Sequence, residues 1–264
     1  MITIRDLHSL RDFADCVALQ DETWGAGFSE RVPTAILRVS QMIGGVAAGA
    51  FDESDRLLGF VFGLTGIRNR ELVHWSDMLA VREELRSQGI GERLKQYQRD
   101  KVLALGARSM LWTFDPLQAG NAHFNINRLG ALPIEYIPDM YGNTGSALHG
   151  TLPTDRFVAR WQLDSPLART TQSNPGALPL ANPVDSDGLP AVASVAADIQ
   201  RVRVQIPADM STVLATGQDA AVHWRLNIRE VMTDLLARGY RVTAFSRPDG
   251  DAMPYYVLTA RHLP

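Results

Sequence analysis

Cysteine is nearly absent: of 264 residues, only Cys16 carries a thiol. A lone thiol excludes an internal disulfide framework and any zinc site built on cysteines, and it fits a reducing compartment. Long apolar runs are lacking too. The longest, LLGFVFGL at Leu57–Leu64, is far too short to cross a bilayer. The opening MITIRDL alternates like a strand and has no signal-peptide core. Net charge is only −3, whereas a protein that coats nucleic acid needs a basic field to displace counterions. A soluble, cytoplasmic protein with neither nucleic acid nor membrane as partner is expected.

Several chemical signatures are missing as well. There is no GxxxxGK[ST], which removes a P-loop NTPase, and no GxSxG serine elbow. The six histidines are scattered and no HExxH occurs, so no metal is expected. No solenoid-length repeat is visible. What remains is an ordinary globular composition, 45% apolar and 21% charged, long enough for one large domain or two modest ones.

Residues 165–190 carry five prolines among Ser, Thr, Asn and Asp. Proline fixes φ and removes a backbone donor, so this stretch reads as an extended connector. The expected domains are therefore 1–163, a linker at 164–190, and a C-terminal lobe at 191–264. In the first, the patterns predict a strand at Ile2–Asp6, helices near Leu10–Asp21 and after Pro33, and a hairpin from Gly45–Asp52 and Leu57–Gly66. A strand in LVHWSDMLAV follows, then a helix with Ile90, Leu94 and Tyr97 on one face, stopping at Gly106. The strand SMLWTF, the helix AGNAHFNINRL and strands near Leu132–Ile137 and Asp155–Leu163 complete the domain. Hairpins with a strand–helix–strand crossover demand a mixed α/β sheet flanked by helices. The lobe reads β-α-β-β, with Trp224, Ile228, Val231 and Leu235 on one helix face.

Between the fourth strand and its helix lies VREELRSQGIGERLKQYQRD, Val81–Asp100. A glycine-bearing elbow opening a helix offers unpaired N–H groups at the positive end of the helix dipole, a site suited to phosphate. Gly89 and Gly91 let backbone approach a ligand, and Arg86 and Arg93 could add charged bonds. The plainer reading is a helix start with permissive glycines and solvated arginines. Gly89-x-Gly91 lacks the third glycine of a dinucleotide fingerprint.

With Arg86-Ser87-Gln88-Gly89-Ile90-Gly91 at this place in the element order, the chain resembles the GNAT superfamily of CoA-dependent N-acyltransferases, whose signature is [RQ]-x-x-G-x-[GA]. WTFDPLQAGNAHFNINRLGA and LPTDRFVARW resemble one subgroup of predicted acyltransferases, and HWR and RGY in the tail extend the likeness. The resemblance implies a GNAT fold, with the C-terminal lobe similar to half of such a domain. It implies that amides from Ser87 to Glu92 (Ser87, Gln88, Gly89, Ile90, Gly91, Glu92), with Arg86 beside them, cradle the CoA pyrophosphate. The pantetheine arm would lie along Leu79, Ala80 and Val81 as an added strand, with Asn121 and Phe124 beside it.

The implied reaction is direct amine attack within a ternary complex, moving acetyl from acetyl-CoA or succinyl from succinyl-CoA to a small-molecule amine such as an amino acid. A backbone N–H near Leu79 or Ala80 would hold the oxyanion. His74 and Asp77 are the candidate bases, although a spacing of three places them on opposite faces unless a bulge intervenes; each reads equally as a hydrogen-bonded residue at a sheet edge. The thiolate-protonating tyrosine of the family falls here on Ile126, a departure from the pattern. Tyr141 or Tyr136 could substitute, or the thiolate leaves unassisted. Asp115 reads as a turn residue before Pro116 or as a carboxylate for an ammonium. Arg225 and Arg229, like charges at i and i+4, either pair with distant carboxylates or meet a carboxylated substrate. A catalytically silent acyl-CoA sensor and a structural module with a dimer-forming tail are the competing readings, and the tail lobe is expected either to line the acceptor pocket or to make the contact of a homodimer.

Overall fold

The computed structural model describes residues 1–145, 152–165, 178–248, 250 and 252–261. The chain runs β1 (Thr3–Asp6), α1 (Leu10–Trp24), α2 (Thr34–Met42), β2 (Val46–Phe51), β3 (Leu57–Arg68) and β4 (Glu71–Val81). It continues with α3 (Ile90–Ala104), β5 (Ser109–Phe114), α4 (Ala119–Ala122), β6 (Leu132–Ile137) and β7 (Arg156–Gln162), then β8 (Arg201–Gln205), α5 (Met210–Thr216), α6 (Gln218–Ala237), β9 (Tyr240–Ser246) and β10 (Tyr255–Ala260). The mixed α/β architecture expected from the patterns is what the structure has. Two details were not foreseen. α4 passes directly into a π-turn at His123–Arg128, and α5 precedes the tail helix.

A seven-stranded sheet has the order β1-β2-β3-β4-β5-β7-β6, and a three-stranded antiparallel sheet the order β8-β10-β9. The residues group into two compact units. The first holds 1–112 with 143–145 and 161–165; the second holds 113–142, 152–160 and 178–261.

In the first unit, Ser9 caps α1 and exchanges bonds with Asp12 in a capping box. α1 and α2 then bury Phe13, Cys16, Leu19 and Leu37 with Phe51, Phe60, Phe62, Met78 and Ala80 of the strands. Burial pushes the Cys16 thiol up to about 12, so it is inert. The feature that shapes the site is a bulge in β4. Phe62 pairs with Met78 but Gly63 pairs with Ser76, leaving Asp77 as the extra residue. Ahead of the bulge, His74 and Ser76 meet Gln98 and Lys95 of α3; past it, Met78 and Ala80 join the α1–α2 cluster.

The second unit is built on aromatic contact. Phe157 touches Phe114, Tyr136 and Tyr256, and Tyr256 touches Phe245. Trp224, Ile228, Val231 and Leu235 of α6 are buried together, as their spacing predicts. From residue 178 the proline-rich connector runs beside β8: Ala181 N–H donates to Arg203 O (2.9 Å) and Arg203 N–H to Pro179 O (2.9 Å). Asn182, fully buried, bonds both main-chain groups of Gln205. Residues 166–177 lie outside the described residues.

Candidate functional site

The parallel ladder between β4 and β5 is short. It joins Val73, His74 and Trp75 to Ser109, Met110 and Leu111. Beyond Trp75, β4 runs six residues further with its pairing to β3 only. Arg82 N–H donates to Leu58 O (2.9 Å). By the alternation of an antiparallel ladder, Ala80 and Met78 then also bond to β3, while Leu79 and Val81 turn their N–H and C=O groups to the opposite edge. An extended ligand can pair with that edge as a strand would.

Past Val81 the chain makes a single 3-10 turn at Glu83–Leu85 and enters the elbow. Ser87 and Gly89 both take left-handed backbone (φ 64° and 80°), a conformation that costs about 1–2 kcal/mol outside glycine. A Cβ on Gly89 would touch nothing, so glycine is suited there by φ and not by space. Such alternations form amide-lined concavities for anions. The first main-chain bond into α3 is Arg93 N–H to Gly89 O (3.1 Å), and no side chain caps the helix. The amides of its opening turn therefore have no intrahelical acceptor. Arg86 is exposed, with Nε 3.4 Å from Val81 O; Arg93 instead reaches Ile2 O (2.8 Å), away from the elbow.

His74 does not face an open cleft. It is fully buried, with Nδ1 2.8 Å from Thr65 Oγ1 and Nε2 2.9 Å from Gln98 Nε2. Thr65 Oγ1 donates to Gly44 O (2.6 Å), so it accepts from Nδ1–H, and Nε2 accepts from the Gln98 amide. Desolvation, and then the nearby Lys95, hold the imidazole down to about 3. Both nitrogens are engaged, as in the sheet-residue reading. Asp77 has an exposed side chain, yet the protein around it and Glu30 hold its carboxyl above the usual range. The bulge puts Asp77 and His74 in different surroundings.

In the second unit, Arg225 and Asp115 make a bidentate pair (2.8 and 2.6 Å), with Arg156 3.8 Å from the same carboxylate. Asp115 also accepts from Leu117 N–H (2.9 Å), a turn contact. Burial alone would raise its carboxyl; Arg225 and Arg156 outweigh that and hold it low. Arg229 clasps Asp155 (3.0 and 2.6 Å), which also accepts from Tyr136 OH and Asp139 N–H. The three residues expected to meet substrate thus answer one another or a neighbour inside the chain. Sequence spacing could not show this, because the partners are 110 and 74 positions apart. Tyr136 is committed to Asp155, and its hydroxyl is pushed up by burial and that carboxylate. Tyr141 OH lies 2.9 Å from Thr113 Oγ1, and its ring is 5.5 Å from the Arg156 guanidinium. Asn121 is exposed on α4, Phe124 half-buried, and Ile126 buried.

Several polar residues of the interior were not singled out from sequence. Gln98 continues the stripe of Ile90 and Leu94, a polar residue at an apolar position, which is a readable signal. Lys95 and Asp155 gave none. Among the described residues, no group of three or more His, Cys, Asp or Glu could hold a metal, and no helix is long and apolar enough to cross a membrane.

Comparison with known proteins adds a likeness of arrangement. No protein-family model matches the chain, and no curated protein does. Solved structures do. The chain is similar to one in the NatC complex bound to Gag peptide and CoA, at 18% identity over 61% of this chain and 98% of that one, TM-score 0.49. It is similar to aminoglycoside 6'-acetyltransferase type Ii, at 16% identity over 62% and 99%, TM-score 0.48. The ribosomal-protein-S18-alanine N-acetyltransferase of Escherichia coli gives 14% over 63% and 96%, TM-score 0.47. Likeness of this degree assigns neither activity nor substrate.

Proposed function

We propose that the protein is a CoA-dependent N-acyltransferase that moves an acetyl or succinyl group from its thioester to the amine of a small molecule such as an amino acid. One observation carries this reading: the unpaired edge of β4 leads, through one 3-10 turn, into an elbow of left-handed residues and an uncapped helix start. An edge for an amide-bearing arm followed by amides for a diphosphate is a matched receptor for coenzyme A. The GNAT-like motif falls on the same residues.

In this reading Ser87, Gln88, Gly89, Ile90, Gly91 and Glu92 hold the diphosphate through main chain, and Arg86 adds charge. Leu79 and Val81 pair with the pantetheine amides. Leu79 N–H is the oxyanion donor, because the Ala80 amide is directed to β3. Asp77 takes the first proton, that of the incoming ammonium, in preference to the enclosed His74, its raised carboxyl bringing it nearer to neutral pH. Tyr141, the phenol expected from sequence for the thiolate, has its hydroxyl 2.9 Å from Thr113 Oγ1. The roles of Asn121 and Phe124 rest on the resemblance alone, and Asp115, Arg225 and Arg229 belong to paired ions within the second unit.

A second reading, an acyl-CoA sensor without turnover, is favoured by Ile126, buried where the resembled family carries its acid. Thiol release from acetyl-CoA and succinyl-CoA, measured with an amino-acid panel, separates the two. Release that depends on an added amine supports the transferase; calorimetric binding without release supports the sensor; no binding refutes both.

A further inference from the structure

Lys95 is one of only two lysines in a chain whose other basic residues are arginines. It is 2% exposed, although it sits in the middle of α3. Its Nζ lies 2.7 Å from Ser76 Oγ, 3.8 Å from Met110 Sδ and 3.8 Å from the centre of the Trp112 ring. Ser76 is the first residue of β4 past the last rung of the β4–β5 ladder, and Met110 and Trp112 flank Leu111, the β5 residue of that rung. The amine therefore lies where the two strands stop pairing. No carboxylate is within ion-pair distance of it among the described residues. The groups packed on it are a hydroxyl, a thioether and an indole, and the titratable group that feels its charge is the neutral His74.

A buried amine without a counter-charge gives up its proton, since the cost of desolvating an ammonium exceeds what a hydroxyl and a ring return. Burial accordingly holds Lys95 well below the ordinary lysine range. A neutral amine hydrogen-bonded to a serine hydroxyl is a base next to a proton carrier, the arrangement that activates nucleophiles in Ser–Lys pairs. The distance along β4 from the elbow to Ser76 matters as well. From Val81 back to Ser76 the strand extends about 17 Å at about 3.3 Å per residue, so an arm anchored at the elbow ends near the parting of the strands.

We infer that Ser76 and Lys95 form a proton relay at the end of the β4–β5 ladder, serving the acyl transfer proposed above and resting on that reading. The acceptor nitrogen bonds to the acyl carbon as the carbon–sulfur bond breaks. The proton lost by that nitrogen passes to Ser76 Oγ, whose own proton moves to Lys95 Nζ. The ammonium so formed returns a proton by the same route to the departing thiolate. Acyl-CoA and amine become amide and free thiol, with no other reactant. Lys95 acts through Ser76 and is a positioning residue for the proton, which supplies the acid that Ile126 does not.

Two lysines make the test clean. With lysine-selective 15N labelling, two Nζ resonances are expected at pH 7: Lys101, paired with Asp6 at 2.6 Å, as an ammonium, and Lys95 as an amine that shifts when acetyl-CoA is added. Lys95→Met and Lys95→Arg should each lower kcat by about 10²–10⁴-fold with the Kd for CoA within about threefold. The acid limb of the wild-type kcat profile should vanish in Lys95→Met, and Ser76→Ala should fall in the same direction. An ammonium at Lys95, a silent Lys95 resonance in protein that binds acetyl-CoA calorimetrically, or an unchanged kcat and pH profile in Lys95→Met overturns the relay. Binding without any thiol release by the wild type overturns it too. Absence of binding refutes the acyltransferase reading itself, which calorimetry registers separately.

Discussion

The two units bury ionisable groups on opposite terms. In the first, His74 and Lys95 lie inside without a carboxylate, and burial lowers the pKa of each, pulling both towards their neutral forms. In the second, Arg225 with Asp115 and Arg229 with Asp155 remain ions, each pair bidentate. Both arrangements avoid an unpaired buried charge, one by losing a proton and the other by finding a partner. The difference teaches where chemistry can reside. A paired ion is fixed in charge and geometry and serves as scaffold, whereas a neutral amine or imidazole can still take up a proton.

The largest effect should come from breaking a pair. Asp115→Ala leaves Arg225 buried beside Arg156 and should cost about 3–5 kcal/mol in urea unfolding. Adding Arg225→Met to it should recover much of that loss, and a single variant within 1 kcal/mol of wild type would show that the pair is not what holds this interior.

Acid should test the neutral side. His74 has a folded value near 3 against an ordinary 6.5, so between those values the unfolded chain binds the extra proton. Stability should therefore fall as pH drops from 6.5 towards 3, by up to about 1.4 kcal/mol per pH unit. Unfolding free energies at pH 6.5 and pH 5 sample this slope above the ordinary carboxylate range, with His123, also depressed by burial, adding in the same sense; His74→Gln should reduce it.

Lys95 gives the same sign at higher pH. Its folded value is depressed, so stability should rise with pH through the alkaline range up to the ordinary lysine value of 10.5. Lys95→Met should abolish that rise and gain on the order of 1 kcal/mol at neutral pH, read by thermal melts at several pH values. A smaller change belongs to the surface of the first unit. Gly89→Ala should cost about 1 kcal/mol, since the position has space but a φ of 80°, and Gly89→Asn should cost less.

Much of the fold was legible. The short apolar runs at Val46–Phe51 and Leu57–Arg68 on either side of a turn cluster, the helical stripe from Ile90 to Leu94, and Gly106 in left-handed backbone all follow local rules that operate within a few residues. The elbow was legible for the same reason. The bulge at Asp77 was not, because it is defined by pairing with Phe62 and Gly63, which no local pattern states. The enclosure of His74 depends on Thr65 and Gln98, brought from β3 and α3. Lys95 reads as an ordinary solvated lysine until its helix is placed on the sheet. Arg225 and Arg229 looked available for substrate until Asp115 and Asp155 arrived from distant sequence. The π-turn at His123–Arg128 has no signal that we can identify.

The account turns on main-chain amides at the elbow. The most direct measurement is a 1H–15N titration of the full chain with CoA, following the backbone signals of Ser87 through Gly91. Large, saturable shifts at these amides, reproduced in part by pyrophosphate alone, are the predicted result. Saturable binding that leaves them unmoved, or no binding at all, would contradict the account.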